Sequence, residues 1–327
     1  MSFRVAVVGA TGMVGREMLK VLEERKFPVK ELVPLASARS AGKKLPFAGG
    51  EVTVQEVSAE AFEGIDVALF SAGSGPSKEW SPIAAGKGAI VIDNSSAFRK
   101  DPECPLVVPE VNLEAAKTRP KGIIANPNCS TIQMVVAIAP IHRANPIKRI
   151  IVATYQAISG AGADAVDALE EQQKGGKGEA LGGQLAGNLL MHWTVQEDGY
   201  YQEEELKMLH ETRKILGDDT IRVSPTAVRV PVVTGHSESI TLELTEPMDV
   251  ATARGLLEKA PGIELVDDFK NGVYPTPLQA AGTDPVYVGR IREDVGNPGG
   301  IQMWVVSDNL RKGAALNAVQ IAEGLLL

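Results

Sequence analysis

The sequence predicts an α/β protein of two domains, and three observations predict it. Short apolar, β-branched runs alternate with loops and helix-like stretches through the first 128 residues, the pattern of an open parallel sheet. A glycine loop separates the first of these runs from the first helical stretch. Beyond residue 129 the strand-like runs lengthen and carry one polar face, as in Ile240-Thr241-Leu242-Glu243-Leu244, which marks a sheet covered on one side only. A length of 327 residues suits two domains of ordinary size.

Phe3–Val8 reads as a buried strand that stops at Gly9. Gly9-Ala10-Thr11-Gly12-Met13-Val14-Gly15 follows and opens a helix that runs to about Arg25. Further strands are expected at Leu32–Leu35, Val67–Phe70, Ala89–Ile92, Leu106–Val108 and Ile123–Ala125, all within one dinucleotide-type domain. In the second half Ile150–Gln156 reads as a strand, Asp164–Lys174 as a helix, Gly175–Gly187 as a loose glycine-rich loop and Glu203–Leu216 as a second helix. Val228–Val233 and Ser239–Thr245 are β-rich runs around a turn at Thr234-Gly235-His236. Asp249–Ala260 adds a helix, and Ile263–Val266, Val286–Ile291 and Ile301–Val306 add three strands. The last helix, Arg311–Leu327, has Leu316, Val319, Ile321 and Leu325 at apolar positions.

Composition narrows the function. Apolar residues make up 44% and charged residues 23%, which is globular. The net charge of −8 disfavours nucleic acid and anionic membranes as partners. No apolar run approaches the roughly 20 residues needed to span a bilayer, and the N-terminal residues lack a basic region followed by a long apolar one. A reducing, cytoplasmic location is therefore expected. Two cysteines cannot staple a chain of this length. With only four scattered histidines beside them, no metal site is expected.

Gly9, Gly12 and Gly15 are spaced G-x-x-G-x-x-G rather than G-x-G-x-x-G. The physics is the same: glycines allow a tight strand-to-helix turn and let the backbone approach a pyrophosphate at a helix N-terminus. A tight turn without a ligand is the alternative, and the strand before and helix after weigh against it. At the end of the second strand, NAD sites place a carboxylate for the ribose 2′-hydroxyl. Here residues 35–44 contain none, whereas Ser37, Arg39, Ser40, Lys43 and Lys44 suit a 2′-phosphate. The expected cofactor is NADP, with a solvated basic loop as the competing reading.

Cys129 lies in Asn126-Pro127-Asn128-Cys129-Ser130-Thr131, between a strand and the apolar helical run Ile132–Ala139. A thiol at a helix N-terminus has its thiolate stabilised by the positive end of the helix dipole. Backbone N–H groups there can also hold an oxyanion. A buried inert cysteine is the alternative, and the polar neighbours argue for an accessible thiol. Cys104, in the Pro-flanked acidic loop Asp101-Pro102-Glu103-Cys104-Pro105, reads as non-functional.

An ordered set of motifs then resembles aspartate-semialdehyde dehydrogenases. It comprises Gly9-Ala10-Thr11-Gly12, Asn94-Ser95-Ser96-Ala97-Phe98-Arg99, Val108-Pro109-Glu110-Val111-Asn112, Asn126-Pro127-Asn128-Cys129-Ser130-Thr131, Gln156-Ala157-Ile158-Ser159-Gly160-Ala161-Gly162, and Arg229-Val230-Pro231 with His236-Ser237-Glu238. The resemblance implies a Rossmann-like NADP-binding domain, residues 1–128 and 308–327, to which the C-terminal helix returns. Residues 129–307 would form an α+β catalytic and dimerisation domain.

The implied reaction is NADPH-dependent reductive dephosphorylation of L-aspartyl-4-phosphate to L-aspartate-4-semialdehyde, in biosynthesis of lysine, threonine and methionine. Cys129 would be the nucleophile and form a thioester. His236, seven residues after Arg229, would be the acid/base, with the ordinary imidazole pKa that suits proton transfer near neutrality. Arg229 would bind the substrate α-carboxylate through its planar fork. Glu204 would meet the ammonium and Lys207 the phosphate or carboxylate end. Glu203 also pairs with Lys207 at i, i+4, so the choice among Glu203, Glu204 and Glu205 stays open. Arg99 and Asn128 would clamp phosphate, and Gln156 would contact the substrate or acyl intermediate.

The same resemblance places Gly9, Thr11, Gly12, Met13, Val14, Ser37, Arg39, Ser40, Ser71, Ala72, Gly73, Gly160, Gly162 and Asn309 along the cofactor. It implies a homodimer or a tetramer. His142, His192 and His210 read as bystanders; His192 stands beside Trp193 with no charged partner evident. The rival enzyme is N-acetyl-glutamyl-phosphate reductase, whose acylated substrate gives the Glu204/Lys207 pair no ammonium to bind. Glyceraldehyde-phosphate dehydrogenase fits the second-strand loop poorly. A non-catalytic NADP sensor would not require the thiol, histidine and arginine together.

Overall fold

The computed structural model describes residues 2–327 and divides into two compact units, Met1–Asn128 with Ala314–Leu327, and Cys129–Gly313. The chain re-enters the first unit at Ala314, later than the expected 308.

In the first unit β1 (Phe3–Val8) leads through α1 (Met13–Glu24) to β2 (Val29–Ala36). A small hairpin of β3 (Lys44–Phe47) and β4 (Gly50–Thr53) precedes β5 (Gln55–Glu56) and β6 (Val67–Phe70). Then come α2 (Ser74–Gly86), β7 (Ile90–Asp93), α3 (Pro109–Asn112) and β8 (Ile123–Ala125). The main sheet has the order β5-β2-β1-β6-β7-β8 and is parallel throughout. From β1 the chain moves outward to β2 and β5, then crosses back to β6. The order therefore reverses between β1 and β6, and in open α/β sheets ligands bind at the carboxyl ends of the strands at such a point.

Alternate residues of β1 serve opposite layers. Val5 and Val7 pack with Met18, Leu19 and Leu22 of α1 and with Leu316, Val319 and Ile321 of the closing helix, Leu316–Leu326. Ala6 and Val8 pack with Phe62, Phe70 and Ala84 on the other face. Burial on both faces explains why these strands read as continuous apolar runs. Leu106–Val108 is not a strand: Leu106 makes one parallel bridge, to Ala125. Pro105 and Pro109 bound the run, and neither has an N–H to extend the ladder.

The second unit starts with α4 (Cys129–Ala144), β9 (Ile147–Gln156), α5 (Ala163–Gln173), α6 (Glu203–Leu216), β10 (Arg222–Arg229) and β11 (His236–Leu244). It continues through α7 (Val250–Glu258), β12 (Ile263–Leu265), α8 (Pro277–Ala280), β13 (Val286–Glu293) and β14 (Ile301–Ser307). Its sheet order is β10-β9-β11-β14-β13-β12, parallel at β10/β9 and β12/β13 and antiparallel elsewhere. On β9, Ile150, Val152, Thr154 and Gln156 are buried, while Ile151 and Tyr155 are 40% and 38% exposed. The one-sided cover read from the alternation is therefore present, with α4, α6 and α7 packed together on the covered side.

Two expectations need correction here. The β-rich runs on either side of Thr234-Gly235-His236 are not neighbours, because β10 and β11 lie on opposite sides of β9. The connection instead follows the chain beyond the end of β9, with Ile158 N–H donating to Val232 O and Ser159 N–H to Val233 O. Nor is the glycine-rich stretch loose. Gln172 Oε1 accepts from the N–H groups of Leu185 and Ala186, its Nε2 donates to Gly178 O at 2.6 Å, and Leu185 is buried. No described helix is long and apolar enough to cross a membrane.

Candidate active site

In the first unit the glycine loop sits at the carboxyl end of β1. Gly9 has φ +84°, and a Cβ there would lie 2.4 Å from Ser71 O, so the two strand-end loops pass in contact. At Gly15 a Cβ would lie 2.2 Å from Gly9 O, so only glycine lets α1 start this close to β1. Gly12 is the N-cap of α1 and has no side chain to satisfy the helix's first N–H groups, which leaves them for an anionic ligand. Thr11, Met13 and Val14 belong to the same turn and first helical turn. Ser71, Ala72 and Gly73 follow β6 on the far side of the switch point, with Gly73 at φ +82° capping α2. Ser37 and Arg39 are exposed just past β2, and Ser40 is buried.

Arg99 and Asn128 also belong to this unit, and both are buried. Arg99 donates from Nε to Asn126 O at 2.9 Å and from Nη2 to Asn94 O at 2.8 Å, so it ties together the loops after β7 and β8. Asn126 Nδ2 donates to Asn94 Oδ1, and its Oδ1 accepts from Asn317 Nδ2. The loop that leads to Cys129 is fixed by this amide network. Cys104 is fully buried, which fits the reading of an inert thiol.

The second unit gathers the other candidates. Cys129 is the first residue of α4, where the dipole favours a thiolate. Its Sγ lies 3.1 Å from His236 Nε2. His236 Nδ1 accepts the Ala157 N–H at 2.9 Å, so in the neutral ring Nε2 carries the proton and points it at sulfur. The expectation of an acid/base with an ordinary imidazole pKa is corrected: His236 opens β11, is fully buried, and has its pKa pushed down to about 3 by burial and by Arg229. It is a neutral hydrogen-bond donor at physiological pH.

Gln156, at the buried end of β9, donates from Nε2 to Ser130 Oγ at 2.5 Å and to Glu204 Oε1 at 3.1 Å. Glu204 Oε2 accepts from Lys207 Nζ at 3.2 Å. This geometry separates the three glutamates. Glu205 accepts from the Gln202 and Ala227 N–H groups and completes a capping box, Glu203 is half exposed, and Glu204 alone turns toward Gln156. Glu203 and Glu204 raise the pKa of Lys207 despite its burial, so it remains cationic.

Arg229, the last residue of β10, donates from Nη1 to Ala157 O at 2.7 Å. Burial lowers its pKa, and the charges of Cys129 and Glu204 act against that shift. A Cβ on Gly160 would lie 3.0 Å from Arg229 Nη1 and 3.3 Å from His236 Cε1, so this glycine backs onto both. Gly162, at φ +100°, starts α5. Asn309 accepts the Gly235 N–H and donates to Ser159 Oγ, joining the loops that carry His236 and Gly160.

Four residues contribute contacts that escape a reading from sequence. The Ala157 peptide holds both His236 and Arg229, which no side-chain motif reports. His192 and Trp193 touch Arg229. Gly313 passes so close to Cys129 that a Cβ would lie 2.9 Å from the cysteine Cβ, a contact between residues 184 positions apart. Among the described residues no group of three His, Cys, Asp or Glu side chains could hold a metal ion.

Comparison with known proteins identifies the family. Residues 4–119 match the model of the semialdehyde dehydrogenase NAD binding domain, and residues 138–312 that of the semialdehyde dehydrogenase dimerisation domain. An aspartate-semialdehyde dehydrogenase of Aquifex aeolicus is 56% identical over 336 aligned positions, covering 100% of this chain and 98% of that protein. One from Bacillus subtilis is 50% identical, covering 98% and 96%. The crystal structure of aspartate semialdehyde dehydrogenase II from Vibrio cholerae complexed with ASA superposes with a TM-score of 0.96 at 49% identity, covering 100% and 98%. The Candida albicans enzyme with NADP gives 0.78 at 25% identity, covering 99% and 98%. On full-length identity, two matching domain models and a common fold, the chain belongs to the aspartate-semialdehyde dehydrogenase family.

Proposed function

We propose that the chain converts L-aspartyl-4-phosphate to L-aspartate-4-semialdehyde with NADPH, through a thioester on Cys129. One observation carries the reading: a thiol at a helix N-terminus, 3.1 Å from a neutral histidine donor, in the same unit as a buried Glu204 paired with Lys207 and a buried arginine. In this scheme the Cys129 thiolate attacks the acyl carbon, the bond to the phosphate oxygen breaks, and phosphate leaves. Bound NADPH supplies the hydride that reduces the thioester carbonyl. The resulting oxyanion collapses, the carbon–sulfur bond breaks, and aldehyde and thiolate are released.

None of these steps needs a proton from the protein; each needs a donor for a developing oxyanion. His236 Nε2–H fits that role better than the base role its residue type suggests. Gln156 Nε2 is the second candidate donor. Arg229 takes the α-carboxylate, Glu204 the ammonium and Lys207 the phosphate or carboxylate end, with Arg99 and Asn128 as phosphate ligands. A buried carboxylate aimed at Gln156 has a use for a free ammonium and none for an acylated nitrogen, which favours aspartyl over N-acetylglutamyl phosphate.

NADP suits the first unit. Gly9 and Gly12 shape the turn at the end of β1, where a Cβ at Gly9 would run into Ser71 O, the N-terminus of α1 has no side-chain cap, and Arg39 stands exposed where NAD sites place a carboxylate. The match to the dimerisation domain supports an oligomer, which we propose is a homodimer or a tetramer, and we propose a cytoplasmic location for the chain. The assay runs in reverse. Aspartate semialdehyde, NADP and phosphate should yield NADPH at a rate that depends on phosphate, and N-acetylglutamate semialdehyde should not substitute. Equal rates with both aldehydes would sink the substrate assignment.

A further inference from the structure

The segment ahead of α6 reaches the end of β10. Leu190 and Arg229 form an isolated bridge, with the Leu190 N–H donating to Arg229 O at 3.0 Å and the Arg229 N–H to Leu190 O at 2.8 Å. This lays His192 and Trp193 against the Arg229 side chain. Nε of Arg229 donates to His192 Nε2 at 3.2 Å, and the guanidinium carbon lies 4.7 Å from the centroid of the Trp193 ring. The two rings stack on each other with centroids 4.5 Å apart.

A guanidinium has five N–H donors in a rigid plane. In Arg229 the Nε–H is taken by His192 and one Nη1–H by Ala157 O. The plane is set by Trp193, and the end formed by Nη1 and Nη2 keeps a fork for a carboxylate. We infer that His192 is a positioning residue for the substrate: its neutral ring accepts the Arg229 Nε–H and, with Trp193, fixes the guanidinium so that the Nη1/Nη2 end meets the α-carboxylate. The inference rests on the reading of Arg229 as the carboxylate receptor.

The electrostatics agree. The charged groups facing His192 are Arg229 and Glu204; burial and Arg229 lower its pKa, and Glu204 opposes them. Because Nε2 accepts, the ring proton sits on Nδ1. His236 holds the opposite tautomer, with Nδ1 accepting from Ala157 and the proton on Nε2. Protonation of His192 would put two cationic groups in contact and remove the acceptor that orients Arg229.

The test is a set of steady-state measurements with NADP and phosphate saturating. His192→Leu should raise KM for aspartate semialdehyde about tenfold, from the loss of one charge-assisted hydrogen bond, with kcat little changed. His192→Gln, whose Oε1 can accept from Nε, should restore most of the affinity. Histidine ¹⁵N spectra of the unmodified chain should show His192 protonated on Nδ1 and His236 on Nε2, a readout that needs no variant to fold. An unchanged KM in His192→Leu, equal defects in the Leu and Gln variants, or an Nε2–H tautomer at His192 would overturn the inference. Arg229→Ala separates the two levels. If it leaves KM unaltered, the carboxylate reading itself falls; if it raises KM while His192→Leu does not, only the role of His192 falls.

Discussion

Cys129→Ala is expected to lower turnover by about 10⁴-fold or more while NADP binding is unchanged, since loss of a nucleophile removes the covalent route and leaves only binding and oxyanion stabilisation. The methyl group can make no thioester. Neither His236 nor Gln156 can replace it, because both present N–H donors to the site. Cys104 cannot substitute either, being fully buried in the first unit. The glycine loop and the Ser71–Gly73 loop lie in that unit too, so those cofactor residues are untouched by the substitution. Equilibrium binding of NADP alongside stopped-flow turnover checks both halves. Substantial residual turnover would refute nucleophilic catalysis, and loss of NADP binding would show that the variant is damaged more broadly.

The second large effect belongs to Arg229. Arg229→Lys keeps the charge and loses the planar fork, so KM for aspartate semialdehyde should rise about 30-fold or more, the range seen when one partner of a buried charged hydrogen bond is altered. A lysine ammonium has no counterpart to the fixed Nε, Nη1 and Nη2 directions that face His192, Ala157 O and the open end. It also leaves the His192 acceptor and the Ala157 carbonyl without their donors. A change confined to KM would identify a ground-state and transition-state carboxylate contact alike; near-normal kinetics would refute bidentate binding.

Much of this is legible in the amino-acid sequence. The strands of the first unit are buried on both faces, so continuous apolar runs located them, and the glycine spacing located the turn they feed. The alternation along Ile240–Leu244 in β11 pointed to a sheet with one open side, which the exposed Ile151 and Tyr155 of β9 bear out. Cys129, His236 and Gln156 meet because three elements end at one place: α4 begins there, β9 ends there and β11 starts there.

What escaped has physical causes. Register and strand order are tertiary facts, so the 228–245 run reads as two β-rich runs around a turn when β9 in fact separates its two halves. The environment of His236 is set by burial and by Arg229, neither of which its sequence neighbours reveal, and its tautomer is set by a backbone N–H. The choice among Glu203, Glu204 and Glu205 needed the helix phase and the capping box. His192 lies in an irregular segment without periodicity, and its partner is 37 residues away.

The central claim is the thioester on Cys129, and a single pre-steady-state experiment reaches it. Enzyme mixed with aspartate semialdehyde and NADP in the absence of phosphate should give a burst of one NADPH per chain. Intact-mass analysis should then place an aspartyl group on Cys129, which phosphate releases. Steady NADPH formation at an undiminished rate without phosphate, or a burst with no adduct on Cys129, would contradict the account.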